Sequence, residues 1–349
     1  MRNNHLLILT YEMDESSQVF SHQIGVVNEL AKYFEKVTVL TGKAGTYKVL
    51  PNVEVFTSNW TSGKRIKSSL RVFLMFLKLL FQRRFNLVFS HMTSVQSALV
   101  SPITKVLRIK HFLWYTHTSD NLALRVAHKF TNGVLTATAG SCPISSSKIH
   151  VVGHSIDIYM FKKKIKVDFP ISKFIHIGRF DASKNIELII NALKGFREGG
   201  QDITFVNIGS PSGENNDGYY KKIIENSNAS VDKVWLNFKT AIPRYLLSEV
   251  MQKQDAFIHA FEGSLDKSVL EATFMGLPVV TINPEYLKIF GSWDRKHKST
   301  NHSVTEELKY LFTLSEVELQ KEVDRRYELA KQDYELVGWG VRVSKILKS

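Results

Sequence analysis

Arg179, Lys184, Asp266, Lys267 and Glu271 are the residues whose types and spacing could do chemistry in this chain. They fall in two strand–loop–helix patterns. In the first, Gly178-Arg179-Phe-Asp-Ala-Ser-Lys184 follows an apolar run at 174–177 and precedes a helical pattern. Gly178 lets the backbone turn sharply, and Ser183 is the expected helix N-cap. A guanidinium fork and an ammonium at a strand's carboxyl edge suit a diphosphate, whose charge is spread over several oxygens. The plainer alternative is a solvated loop with two surface cations. In the second pattern, Asp255-Ala-Phe-Ile-His259 reads as a buried strand end, Glu262-Gly263-Ser264 as a tight loop, and 266–274 as a helix with Val269, Leu270 and Phe274 on one face. Leu277-Pro278-Val279-Val280 starts the next strand. A crossover of this kind opens its helix N-terminus at the edge where α/β sheets bind ligands, and the free amides there attract anions. Glu271, about one turn inside the helix, would repel phosphate. It suits hydrogen bonds from vicinal hydroxyls, as on a ribose. Asp266 has a structural alternative, as a negative charge satisfying the helix dipole.

Three histidines stand at strand ends or helix starts. His117 closes Leu113-Trp-Tyr-Thr-His117, a strand end where a neutral imidazole can donate or accept a hydrogen bond. A structural histidine is the alternative. His22 opens the first helical pattern and His91 follows Val88-Phe-Ser90; both are weaker candidates, for an acceptor side. The single cysteine, Cys142, excludes an internal disulfide framework and a cysteine-rich metal site. Gly140-Ser141-Cys142-Pro143 reads as a loop carrying an inert thiol. The chain has no Asp-x-Asp pair to hold a divalent cation on a diphosphate, so no metal is expected.

The elements that position these residues alternate along the chain, which argues for parallel sheets covered on both faces. Strand patterns at 6–10, 37–41, 53–56, 87–90, 112–116 and 134–137 alternate with helical ones at 19–34, 68–81, 95–107 and 121–130. The alternation breaks at 149–157 and the basic stretch 162–166, which read as the end of one domain and a linker. It restarts with strands at 174–177, 203–208 and 234–238, helices at 186–196, 219–225 and 243–251, and the crossover described above. Helical patterns at 304–312, 317–329 and 339–347 finish the chain. The reading gives an N-terminal domain over 1–160, joined by a C-terminal helix at 336–349, and a second domain over 167–335. Two such halves, facing across a cleft, make a two-substrate enzyme. The loop from Tyr11 to Gln18 contains no glycine, which disfavours a dinucleotide fingerprint and hence an NAD or FAD enzyme.

The 349 residues carry a formal net charge of +13, which calls for an acidic partner. No nucleic-acid motif accompanies the charge, so nucleic acid is not expected as a partner. The N-terminal apolar run is too short for a signal-peptide core, and no stretch reaches the length of a membrane-spanning helix. A cytoplasmic protein, with a peripheral role at the membrane's inner face, is the expectation.

Gly-Arg-x4-Lys at 178–184 together with Gly263-Ser-x-Asp266-Lys267-x-x-Leu-Glu271-Ala resembles family 4 retaining glycosyltransferases of the GT-B fold. Gly153-His-Ser-Ile-Asp157 looks like that family's interdomain segment, and Ile208-Gly209-Ser210 like its glycine-containing turn beside the nucleotide. Phe20-Ser-His-Gln23 and Leu113-Trp-Tyr-Thr-His117 look like bacterial members. The resemblance implies that Arg179 and Lys184 hold the donor diphosphate, that Glu271 meets the ribose hydroxyls and that His117 approaches the transferred sugar. It places Gly178, Gly209, Gly263, Ser264, Leu265, Asp266 and Lys267 around the donor. It also implies a nucleotide diphosphate sugar as co-substrate, no other cofactor, a glycan or lipid-linked acceptor, and a front-face reaction. In the family a glutamate stands eight positions before the ribose-binding one; here that position is Gly263. Ser264, Asp266, Lys267, backbone amides or Glu262 on a bulged loop are then left to meet the sugar. A GT-B epimerase and a non-catalytic sugar-nucleotide binder are the other readings, and the intact Arg179, Lys184 and Glu271 speak against the second.

On a helix, Lys64, Lys67, Arg71 and Lys78 form a narrow polar stripe, while Leu70, Phe73, Leu74, Phe76, Leu77, Leu80 and Phe81 fill the remainder and Arg83-Arg84 close the end. Two readings stand: a helix lying on an anionic membrane surface, or a core helix with a charged exposed edge.

Overall fold

The alternation of strand and helix becomes two all-parallel sheets in the computed structural model, which describes residues 4–61, 63–82, 85–211, 217–228, 235–294 and 303–349. The chain divides into a first unit, Met1–Ser155 with Asp333–Ser349, and a second, Ile156–Gln332. The change of unit thus comes at 155/156 and 332/333, a few residues before the positions read from the sequence.

In the first unit β1 (His5–Met13), β2 (Lys36–Ala44), β3 (Val53–Thr57), β4 (Leu87–His91), β5 (Lys110–Trp114), β6 (Gly133–Thr136) and β7 (Ile149–Val151) form one sheet in the order β3-β2-β1-β4-β5-β6-β7. The crossovers use α1 (His22–Ala31), α2 (Arg65–Gln82), α3 (Ser94–Val106) and α4 (Leu122–Phe130). Leu6-Leu-Ile-Leu9 is apolar throughout because helices cover both faces. Leu6 and Ile8 pack with Val26, Val27 and Leu30 of α1, and the alternate Leu7 and Leu9 with Val72 and Phe76 of α2 and Val100 of α3. Trp339, Val343 and Leu347 of the C-terminal helix Leu336–Lys348 join the α1 side of this core.

Local chemistry explains where these elements depart from the sequence pattern. The helix expected from residue 19 starts at His22, because side chains before it bond locally: Ser16 N donates to Asp14 Oδ1 at 3.0 Å, Ser17 Oγ to Glu12 at 2.6 Å and Phe20 N to Ser17 Oγ at 3.1 Å. Such bonds compete with helix formation. Residues 149–151, read as linker, are the edge strand β7, whose three residues are too few to show a period.

The second unit holds β8 (Lys173–Ile177), β9 (Thr204–Ile208), β10 (Leu236–Lys239), β11 (Ala256–His259) and β12 (Val279–Thr281) in the order β10-β9-β8-β11-β12. Between and after them lie α5 (Ile186–Glu198), α6 (Asp217–Asn228), α7 (Arg244–Gln252), α8 (Lys267–Phe274), α9 (Pro284–Phe290), α10 (Val304–Leu311) and α11 (Glu316–Tyr334). The short helix α9 has no counterpart in the sequence reading. Asn283 starts it, its Oδ1 accepting from Tyr286 N at 3.0 Å, and Pro284 occupies the first turn. The chain steps outward from β8 to β10 and returns on the other side of β8 at β11. The topological switch point therefore lies between β8 and β11, where open α/β sheets bind their ligands.

The turns after β8 and β9 touch backbone to backbone. A Cβ built on Gly209 would lie 1.8 Å from the Gly178 carbonyl oxygen, so only glycine fits. Gly209→Ala is expected to destabilise the second unit by about 2 kcal/mol, read as a fall of roughly 5 °C in Tm. An unchanged Tm would contradict this close approach.

Candidate functional site

The loop after β8 is held by two backbone bonds, Gly178 N to Ile208 O at 3.1 Å and Phe180 N to Ser210 O at 2.9 Å. Asp181, not Ser183, then caps the chain: its carboxylate accepts from Ser183 N at 2.9 Å and starts a 3-10 turn over Ala182–Lys184. After this turn Asn185 adopts the left-handed region, φ 51°, and α5 starts at Ile186, where the helical pattern begins. Asn185 Nδ2 donates to Ala260 O at 3.0 Å, tying the β8 loop to the β11 loop.

The two cations of this loop have different fates. Arg179 is exposed, and no described residue pairs with it. The Lys184 side chain is only 6% exposed. Its ammonium pairs with Asp266 and lies 3.6 Å from the centre of the Phe261 ring. Asp266 also receives a hydrogen bond from His259 Nε2 at 3.2 Å, and His259 Nδ1 meets Thr281 Oγ1 at 3.0 Å. A carboxylate only accepts, so Nε2 carries the proton and Nδ1 accepts from the Thr281 hydroxyl. Burial opposes the charge on Asp266, but the His259 hydrogen bond and the nearby Lys184 charge outweigh it and hold the carboxyl well below the usual range. Burial pushes His259 down, and it pushes His176, whose ring stacks on His259 at 5.9 Å, down to about 3. The chain Thr281–His259–Asp266–Lys184 thus crosses the switch point with its histidine neutral. Asp266 sits at the N-cap of α8 yet makes no bond to the helix amides, which stay uncapped.

One turn into α8, the Glu271 carboxylate is buried and ion-paired with Arg244, the first residue of α7. The Arg244 guanidinium lies 5.4 Å over the Phe161 ring. Burial pushes its pKa down to about 10, against the pull of Asp157. Lys267, one turn before Glu271, buries an ammonium with no hydrogen-bond partner, and burial with the neighbouring Arg244 pushes its pKa well down. At this helix start Arg244 pairs with Glu271, and the Lys267 side chain beside them has no carboxylate bonded to it. The arrangement offers cations and amides to an anion and a carboxylate to hydroxyls. Arg244 escaped the sequence reading, since as the first residue of a helix it has no local pattern that distinguishes it from a surface cation.

Gly263, where the family glutamate would stand, has a packing reason of its own. A Cβ there would fall 2.1 Å from the Phe261 ring, the same ring that lies under Lys184. Asn283 Nδ2 fixes the loop by donating to Phe261 O at 2.9 Å and Gly263 O at 3.1 Å. Ser264 and Leu265 are buried beneath the loop, and Glu262 is exposed.

The three candidate histidines belong to the first unit. His91 ends β4 fully buried, stacked on Trp114 with ring centres 5.7 Å apart and planes at 11°, and with Trp339 edge-on. That packing makes it part of the framework. His22 opens α1 with its ring 6.2 Å from His91 and its Nδ1 donating to Val19 O at 3.1 Å. The two meet between β1 and β4, the switch point of this sheet. β5 ends at Trp114, so His117 stands on the following loop, exposed and edge-on to Tyr115 at 5.5 Å. Cys142 is buried, and burial raises its thiol pKa.

Among the described residues, no group of three His, Cys, Asp or Glu is arranged to hold a metal ion. Nor is any helix there long and apolar enough to cross a membrane.

Residues 156–294, which contain the whole constellation around Arg179, Lys184 and Glu271, match the family of glycosyl transferases group 1. No curated protein sequence matches the chain. Among solved structures it is similar to the Anabaena protein HepE in complex with UDP and glucose, at 14% identity over 99% of each chain with a TM-score of 0.73. It is similar to sucrose-phosphate synthase from Thermosynechococcus elongatus at 11% identity, covering 99% of this chain and 98% of that one, with a TM-score of 0.75. It is also similar to WaaG, a glycosyltransferase involved in lipopolysaccharide biosynthesis, at 11% identity over 99% of this chain and 100% of that one, with a TM-score of 0.66. The fold is GT-B, an α/β architecture of two parallel-sheet units.

Proposed function

We propose that this protein is a retaining glycosyltransferase that moves a sugar from a UDP- or GDP-sugar to a glycan or lipid-linked acceptor in glycoconjugate biosynthesis. It works without a metal or other cofactor, at the cytoplasmic face of a membrane. The observation that carries this reading is the β8/β11 switch point. Arg179 is exposed on the loop after β8, and after β11 the uncapped start of α8 carries Glu271, a buried carboxylate paired with Arg244. The match of residues 156–294 to glycosyl transferases group 1 supports sugar transfer. The UDP-glucose complex of HepE supports a nucleotide diphosphate donor.

In this reading Glu271 accepts hydrogen bonds from the ribose hydroxyls. Arg179, Lys184 and the α8 amides carry the negative charge that develops on the leaving diphosphate, the task a metal performs elsewhere. Gly178, Gly209 and Gly263 let backbone approach the donor, flanked by Ser264, Leu265, Asp266 and Lys267. The bond from the anomeric carbon to the diphosphate oxygen breaks, and the acceptor oxygen bonds on the same face. The acceptor's proton passes to the departing phosphate. His117 hydrogen-bonds the transferred sugar, and His22 is the remaining candidate on the acceptor side.

A ligand that binds only the folded state at one hundred times its Kd stabilises it by about 2.7 kcal/mol. Millimolar UDP or GDP is therefore expected to raise Tm by several degrees, the stronger effect naming the base. If neither nucleotide shifts Tm, the donor-site assignment fails.

A further inference from the structure

Helices α2 and α3 carry their apolar side chains on the wrong face for a solvated surface. On α3, Gln96, Ser97, Ser101 and Thr104 are buried, Ser97 and Thr104 meeting the buried ring of His111 at 3.3 and 3.2 Å. Val95, Leu99, Val106 and, just past the helix, Leu107 face outward instead. On α2 the buried strip is Ser68, Val72, Phe76 and Leu79. The wide apolar arc read from the sequence is therefore split, because only the strip facing the sheet is covered. Ile66, Leu70, Leu74 and Phe81 remain outside, interleaved with the exposed Lys67, Arg71 and Lys78. Three of these side chains are almost fully in solvent: Ile66 at 89%, Phe81 at 84% and Val106 at 81% exposure. Between the two helices runs an open apolar groove of about 600 Å³, lined by Leu77, Leu80, Phe81, Pro102, Ile103 and Val106. Arg83 and Arg84 of the same segment lie outside the described residues.

The charge of this region is one-sided. From Val55 to Ser119 the chain has ten Lys and Arg and not one of its 33 Asp and Glu. Most of the +13 net charge therefore comes from this segment. Lys64, Lys67, Arg71, Lys78, Lys105 and Arg108 are exposed there. An apolar patch of this extent calls for a covering partner, and the cations state its chemistry. A second copy of the same face would set like charges against each other, and nucleic acid has no use for Ile66, Leu70 or Phe81. An anionic bilayer supplies both halves, headgroups for the cations and acyl chains for the apolar side chains.

We propose that the α2–α3 face of the first unit docks on an anionic lipid surface. Lys67, Arg71, Lys78, Lys105 and Arg108 meet the headgroups, while Ile66, Leu70, Leu74, Phe81 and Val106 enter the interface. The proposal does not depend on the transferase reading.

The test is co-sedimentation of the full chain with phosphatidylcholine vesicles, with and without phosphatidylglycerol. The unaltered protein is expected to bind the anionic vesicles only, and more weakly as salt rises. Lys67→Glu/Lys78→Glu and Phe81→Ser/Val106→Ser should each weaken binding roughly tenfold or more. Val317→Ser, an exposed apolar position of the second unit, should leave it unchanged. All these positions are exposed, so an unaltered Tm shows that the variants fold. Failure to bind anionic vesicles overturns the proposal, as does undiminished binding by the charge-reversed variant. So does a concentration-dependent dimer, seen by sedimentation velocity, that the serine variant abolishes while vesicles go unbound.

Discussion

Glu271→Gln is expected to lower the stability of the second unit by about 3 kcal/mol, because it removes the carboxylate paired with the buried Arg244 guanidinium. The Arg244 and Glu271 side chains are 12% and 2% exposed, so water replaces little of the lost interaction. In a unit of this size the fall in Tm should be on the order of 10 °C. Arg244→Gln should also destabilise, and the double variant should be more stable than the sum of the singles predicts by at least about 1 kcal/mol. A Glu271→Gln effect within about 0.5 kcal/mol, the range of ordinary surface substitutions, would show that the pair is not buried as described. Nucleotide stabilisation should be lost in the same variant, since the carboxylate proposed for the ribose is gone.

Arg179→Ala and Lys184→Ala separate binding from architecture. Arg179 is exposed, and no described residue pairs with it, so its removal should leave Tm within about 1 °C while lowering turnover of the donor by roughly 100-fold. Lys184 is buried against Asp266 and the Phe261 ring. Its removal should therefore lower turnover and stability together, the second by about 3 kcal/mol, because Asp266 keeps only His259 as partner. Thermal denaturation and steady-state kinetics on both variants check this contrast. Equal effects on Tm would contradict the different burial of the two cations.

The parallel sheets were legible because strands covered on both faces keep apolar runs, unbroken at Leu6-Leu-Ile-Leu9 and broken only by the buried His176 at Phe174-Ile-His-Ile177. β7 was not, since three residues carry no period, and α9 was not, since its start depends on the single cap Asn283. The position of Glu271 on a helix opening at a strand edge followed from spacing, and the structure puts it there. Its partner Arg244 did not follow, because contacts between separate crossovers leave no local trace. The sequence offers Lys184 and Asp266 as independent donor-binding groups. What no pattern could show is that they are paired, or that the Phe261 ring fills the space a Cβ at Gly263 would take. The helical wheel of 64–84 was equally silent on which arc faces the sheet, and so on how much of its apolar surface stays uncovered.

The central claim is chemical: the second unit activates a nucleotide diphosphate sugar. Release of UDP or GDP, followed over a panel of UDP- and GDP-sugars, tests it most directly. The account predicts slow release from one donor class by the unaltered protein, and release roughly 100-fold slower from Arg179→Ala at unchanged Tm. Release from no donor, by a protein that UDP or GDP nonetheless stabilises, would contradict catalysis and leave a binding protein.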